Sequence, residues 1–230
     1  MEITRKQWYG IGVGLLIVAL IICTLWLIFP RSAVAPEPSG EASLEATSTV
    51  PSAPAQTTAP KPVPELPSIA KDDTIASWTF TGVYTNNSEL SAQADAEITR
   101  LKELVGKGTY SDTSLYVGIA NQYELLGDGK QEYEYLSRAI GEGGESAGLP
   151  WHNLGVLMER LGALQTARVA YQKATLVQPS LNQWHFSYIE FLTTRMAGDV
   201  PTIEKAFAFA FKNIGQDPDI LSFQTEWKKL

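Results

Sequence analysis

The stretch "LPWHNLGVLMERLGALQTARVAYQKATLVQP", Leu149 to Pro179, sets narrow limits on the fold. Trp151, Leu154, Gly155 and Met158 share one face at helical spacing, and Gly162 interrupts the pattern. Ala167, Tyr171 and Ala174 resume it, and Pro179 cannot continue a helix. Two short amphipathic helices joined by a tight turn bury their apolar faces against each other as an antiparallel hairpin. Gly155 and Ala167 carry little or no side chain, so the two backbones can come close there. Trp151 and Tyr171 supply the apolar area that holds the pair.

The pattern recurs on both sides. Tyr116, Ile119, Ala120, Tyr123, Gly127, Leu136 and Ala139 form an earlier copy, with Glu132 where a small residue is expected. Asp128 with Gln131 makes a capping box for its second helix. Trp184, Tyr188 and Phe191 begin a later copy, with Ser180 and Gln183 as its capping pair. Its loop "AGDVP" is longer, and Asp217 with Pro218 opens a last helix bearing Ile220, Phe223 and Trp227. Before the first copy, Asn87 or Ser88 can cap a helix with the stripe Leu90, Ala94, Ile98, Leu101 and Val105, ending at Gly106 and Gly108. "SWTFTGVYT", Ser77 to Thr85, reads as a short strand or an extended docking segment.

The spacing resembles the tetratricopeptide repeat, whose W, LG, Y, G, A, F, A and P positions are matched with Met158 for Tyr and Tyr171 for Phe. The resemblance is strongest over Leu149–Pro179 and looser over Leu115–Ile140 and Trp184–Ile214. It implies an all-α stack of about three repeats plus flanking helices over residues 69–230, roughly eight helices in all. A terminal helix is needed to cover the last open face.

The front of the chain cannot belong to that stack. From Trp8 to Phe29 no residue is charged, and about 22 residues at about 1.5 Å each span the hydrocarbon layer. Trp8, Tyr9 and Trp26 lie towards the ends, where amphipathic rings prefer to sit. The sequence therefore predicts a membrane helix at 8–29, preceded by a cytoplasmic N-terminus at 1–7. A cleaved signal peptide is the rival: "AVA" at Ala33–Ala35 is a small-residue site, but the apolar run exceeds the roughly 7–15 residues of a signal core. Cys23 is the only cysteine, and Ile22 before it is too bulky for a bacterial lipobox. Arg5 and Lys6 precede the span and only Arg31 closely follows, which places residues 69–230 outside the cytoplasm. Gly10 and Gly14 are spaced to allow close helix approach within the membrane.

Residues 30–68 hold nine of the thirteen prolines among Ala, Ser, Thr and Glu, and too little apolar surface to fold. They read as a disordered linker, and their Ser and Thr content would suit a glycan-bearing stalk.

Composition speaks against several activities. No thiol lies beyond the membrane stretch, no glycine-rich loop precedes a basic residue, and no His/Cys cluster has metal spacing. Glu132, Glu134 and Glu159 sit among Lys and Arg, as on solvated faces. Beyond Ile69 there are 14 Lys+Arg against 20 Asp+Glu, with no basic stripe for nucleic acid. The expectation is no enzyme and no cofactor.

The two histidines, His152 and His185, each follow a Trp one repeat apart. Neighbouring helices about 8–10 Å apart keep them from a tight shared metal. They are either ordinary polar residues or a pair reading an acidic or aromatic ligand. The family resemblance implies a groove lined by Asn121 and Glu124, then His152, Val156, Glu159 and Arg160, then Asn182, His185, Ile189 and Leu192. Some members grip a C-terminal carboxylate with basic groups and two asparagines. Asn121 and Asn153 match the asparagines, but Val117, Asn182 and Phe186 replace the basic groups. The mixed groove suits an extended or helical peptide. The expected function is a membrane-anchored interaction scaffold in envelope assembly, secretion or surface structures. The alternative is an enzyme or glycan-binding module on an irregular helical scaffold.

Overall fold

Two glycines and a run of buried aliphatic side chains explain most of how the helices meet. The computed structural model describes residues 68–143 and 146–229. The expected cytoplasmic residues 1–7, apolar span 8–29 and, apart from Ser68, linker 30–68 lie outside the described residues. Among the described residues, no helix is long and apolar enough to cross a membrane.

The described residues form an extended N-terminal arm, 68–85, followed by eight helices. These are α1 (Ser88–Leu104), α2 (Asp112–Leu126), α3 (Gly129–Gly143), α4 (Gly148–Arg160), α5 (Leu164–Val177), α6 (Asn182–Arg195), α7 (Val200–Ile214) and α8 (Pro218–Trp227). Helices α2 with α3, and α4 with α5, make the closest pairs, and from α1 to α7 each helix packs on the next along the chain. The third pair, α6 with α7, is more loosely joined, as its longer loop implies. One continuous core runs from Ile98 and Leu101 through Ile119, Leu136, Leu154, Leu157, Met158, Ile189, Leu192 and Phe207 to Ile220. Each such side chain contributes roughly 1.5–3 kcal/mol when fully buried.

The sequence places the helix boundaries well where the caps are local. Asn87 Oδ1 accepts from the Glu89 and Leu90 amides at the start of α1, and Asp128 accepts from Gln131 N at 3.0 Å at the start of α3. Asp217 caps α8, whose Phe223 and Trp227 rings lie 6.3 and 5.6 Å from Phe207 and close the end of the core. The expected Ser180–Gln183 cap does not form: α6 begins at Asn182 with Leu181 at its N-cap and no side-chain hydrogen bond there. A Cβ on Gly155 would sit 2.8 Å from Cγ of Tyr171, so glycine is what lets α4 and α5 meet.

"SWTFTGVYT" is a docking segment. It makes one antiparallel bridge, Thr79 to Asp128, and no strand. Phe80 N donates to Gly127 O at 3.1 Å and Tyr84 N to Leu125 O at 2.9 Å, fixing the arm to the α2–α3 turn. Gly127 is in the left-handed region at φ 79°, and a Cβ there would come within 2.1 Å of Phe80 O. Only glycine satisfies both demands. The Trp78 ring lies 5.3 Å from that of Tyr133, under the Lys130 ammonium at 4.8 Å.

Nearer its start the arm caps a distant helix. Ala163, the N-cap residue of α5, has no side-chain hydrogen bond to offer. Asp73 supplies it, accepting from Thr166 N at 2.7 Å, Thr166 Oγ1 at 2.6 Å and Gln165 N at 3.0 Å. Burial raises the Asp73 carboxyl, but the hydrogen bonds from Thr166 and Gln165 outweigh it and leave the group below its ordinary value of 3.8. A carboxyl lowered on folding stabilises above its unfolded pKa, and that contribution is lost as pH falls through the folded one. Asp73→Ala is therefore expected to cost about 1–2 kcal/mol at neutral pH, read from the denaturant midpoint, and much less in acid.

Candidate partner-binding face

The first helix of each pair, α2, α4 and α6, together with α8, is linked to the next by polar contacts between residues one repeat apart. Asn153 Nδ2 on α4 donates to Asn121 Oδ1 on α2 at 3.1 Å, and Arg160 meets Glu124 at 2.7 Å. His152 Nε2 lies 3.1 Å from Ser187 Oγ on α6, and Arg195 Nε meets Glu159 Oε1 at 2.7 Å. Asn182 Nδ2 donates to Asp217 Oδ2, just before α8, at 3.3 Å. The partners are separated by 32 to 36 residues, one turn of the repeat.

These rungs do not hold the fold together. Partly exposed ion pairs contribute about 0–1 kcal/mol each. Their effect is to fix the register of neighbouring helices and to lay a row of amides, carboxylates and guanidinium groups along one face. Val156 lies half-buried on α4 among them.

Six of the expected groove residues thus come together: Asn121, Glu124, His152, Glu159, Arg160 and Asn182. Three others do not stay on an open surface. Ile189 and Leu192 are wholly buried, because they fall on the core-facing side of α6 with Trp184, Tyr188 and Phe191. His185 is only 1% exposed, and its Nε2–H donates to the Pro179 carbonyl at 2.8 Å. Its ring packs 5.6 Å from Phe209 of α7, which covers it. The two histidines are therefore not an equivalent surface pair.

His152 sits between the rings of Tyr171 (5.6 Å) and Trp184 (4.9 Å). Burial lowers the affinity of both imidazoles for a proton, which the Asn153 and Pro179 oxygens only partly offset, so both are neutral near pH 7. Tyr171 Oη donates to Glu159 Oε2 at 3.0 Å, tying the hairpin's central aromatic ring to the polar face.

Glu132 is a further correction. It is not on a solvated face: it is 3% exposed, and its Oε2 is buried with no hydrogen-bond partner. Desolvation, reinforced by the charge of Glu124 and partly offset by Arg160, pushes its carboxyl up to about 8. It stands at the position that Ala167 occupies in the next repeat, where α3 approaches the rest of the stack.

Ser187, Arg195 and Glu190 belong to this face and were not anticipated. The first two could have been found by pairing polar residues about 35 positions apart. Glu190 is held above its ordinary value by burial and by the neighbouring charge of Glu159. Among the described residues, no group of three His, Cys, Asp or Glu side chains is placed to hold a metal ion.

No protein-family model matches the chain, and no curated protein matches it. Among solved structures it is similar to the crystal structure of the MamA protein, at 19% identity and a TM-score of 0.43. That match covers 52% of this chain and 63%, less than two thirds, of the other.

Proposed function

We propose that this chain is a membrane-anchored interaction scaffold that presents a tetratricopeptide-like groove outside the cytoplasm to a protein partner. It binds rather than catalyses, and the partner engages the groove as an extended or helical peptide. Assembly of the cell envelope, secretion or surface structures is the setting such an architecture suits. The observation that carries the reading is the row of cross-repeat polar contacts along α2, α4 and α6. A partner's backbone and side chains can exchange with these hydrogen bonds at little cost to the core beneath.

The test uses a photo-crosslinking residue placed in intact cells at Asn121 or Asn182, both exposed, and as a control at exposed Val169 on α5. Discrete adducts are expected from the first two sites and not from the third. With the crosslinking residue at Asn182, the pair Asn121→Ala with Asn153→Ala should weaken its adducts while stability moves by less than about 1 kcal/mol. A reporter fused after Thr58 should be active only outside the cytoplasm. Equal adducts from all sites, or none, would overturn the groove, and cytoplasmic reporter activity would overturn the location.

A further inference from the structure

Arg160 occupies a junction. Its guanidinium is bonded to Glu124 across the polar face, and it also lies 4.6 Å from the ring of Phe80 in the N-terminal arm. Glu132, with its unpartnered Oε2, acts on the same pair from inside the stack. It lies three residues after Gly129 on α3, hence on the same side of that helix. Gly129 is where the arm touches α3: a Cβ there would lie 2.7 Å from Trp78 O and 3.2 Å from the Phe80 ring. The carboxyl therefore sits one helical turn from the arm's contact with the body.

We propose that Glu132 is a proton-controlled lock on the arm: while its carboxyl is neutral, Arg160 stays with Glu124 and Phe80, and once it ionises it draws Arg160 inward and frees the arm from the α2–α3 turn. The charged groups acting on Glu132 are Glu124 from α2 and Arg160 from α4, whereas the arm opposite Gly129 presents the uncharged Trp78 and Phe80. The cation acting on a carboxylate formed there is Arg160, whereas Lys130 lies over Trp78. Taking Arg160 removes the cation beneath Phe80, so the arm loses a contact when the carboxylate gains its counterion. The remaining ties of that stretch are then the two backbone hydrogen bonds to Gly127 and Leu125, the Thr85 hydroxyl on Leu126 O and the Trp78 ring against Tyr133 and Lys130.

The experiment follows the arm directly. Full-length protein in detergent is labelled with 5-fluorotryptophan, and the Trp78 resonance is assigned as the one missing from Trp78→Phe. Fluorine spectra are recorded from pH 5 to 10. The Trp78 signal should move from a buried to a solvent-exposed position with a midpoint near the raised value of about 8 for Glu132. In Glu132→Gln and in Glu132→Ala, the residue type found at Ala167, it should keep the buried position throughout. A wild-type signal unchanged to pH 10, or the same transition in either variant, would overturn the proposal. Because the readout is the arm and not partner capture, its failure is distinct from failure of the groove.

Discussion

Gly155→Leu is expected to lower the melting temperature of the whole stack by several degrees. Even a methyl group at that position would lie 2.8 Å from the Tyr171 ring, and that ring is held on its other sides by His152 and Phe191. The ring cannot swing away without breaking its hydrogen bond to Glu159. Overpacking of this kind costs about 1–3 kcal/mol and at times more. In a linear array the loss spreads to neighbouring pairs, because each pair is stabilised by the next. One thermal melt followed by circular dichroism checks it. A melting temperature within a degree of wild type would show that α4 and α5 can move apart freely.

Glu132 should make the fold less stable as the solution becomes more alkaline. Its folded value of about 8 exceeds the ordinary 4.5. Below 4.5 the group is protonated in both states and costs nothing in charge burial. Between 4.5 and 8 the unfolded chain releases the proton and the folded one does not, so stability falls with rising pH and then levels. At about 1.4 kcal/mol per pKa unit, the full loss is on the order of 5 kcal/mol, reduced by whatever Arg160 recovers on rearrangement. Glu132→Gln should flatten this slope and leave the protein more stable than wild type at pH 8. Denaturant midpoints at pH 5 and pH 8 for both proteins are the measurement. Parallel slopes would place the titrating group elsewhere.

Where the determinants were local, the sequence showed the fold clearly. Trp151, Gly155, Ala167 and Tyr171 lie within one hairpin, and Asp128, Asn87 and Asp217 cap helices that begin within three residues of them. Harder to see was anything that depends on rotation of one helix against another. His185 follows Trp184 as His152 follows Trp151, yet Phe209 covers the first and the second keeps a polar neighbour in Ser187. Asp73 was invisible for another reason: its helix begins more than ninety residues away, and nothing near Ala163 hints at a missing cap. The charged neighbours of Glu132 suggest a solvated face. The periodicity that made it anomalous, a carboxylate at a small-residue position, was the better guide. Burial follows the stacking register, and composition averages over it.

The arm also determines how the molecule responds to a mechanical pull. Tension applied on the N-terminal side of residue 68 reaches the Ala70 and Asp73 contacts with Thr166 first, then Trp78 and Phe80, then Tyr84, and only afterwards α1. Each of those attachments can let go in turn while the helices stay packed. Fully extended, the 18 residues of the arm span roughly 60 Å. The arm is thus a sacrificial length of chain, able to pay out before any load arrives at the core.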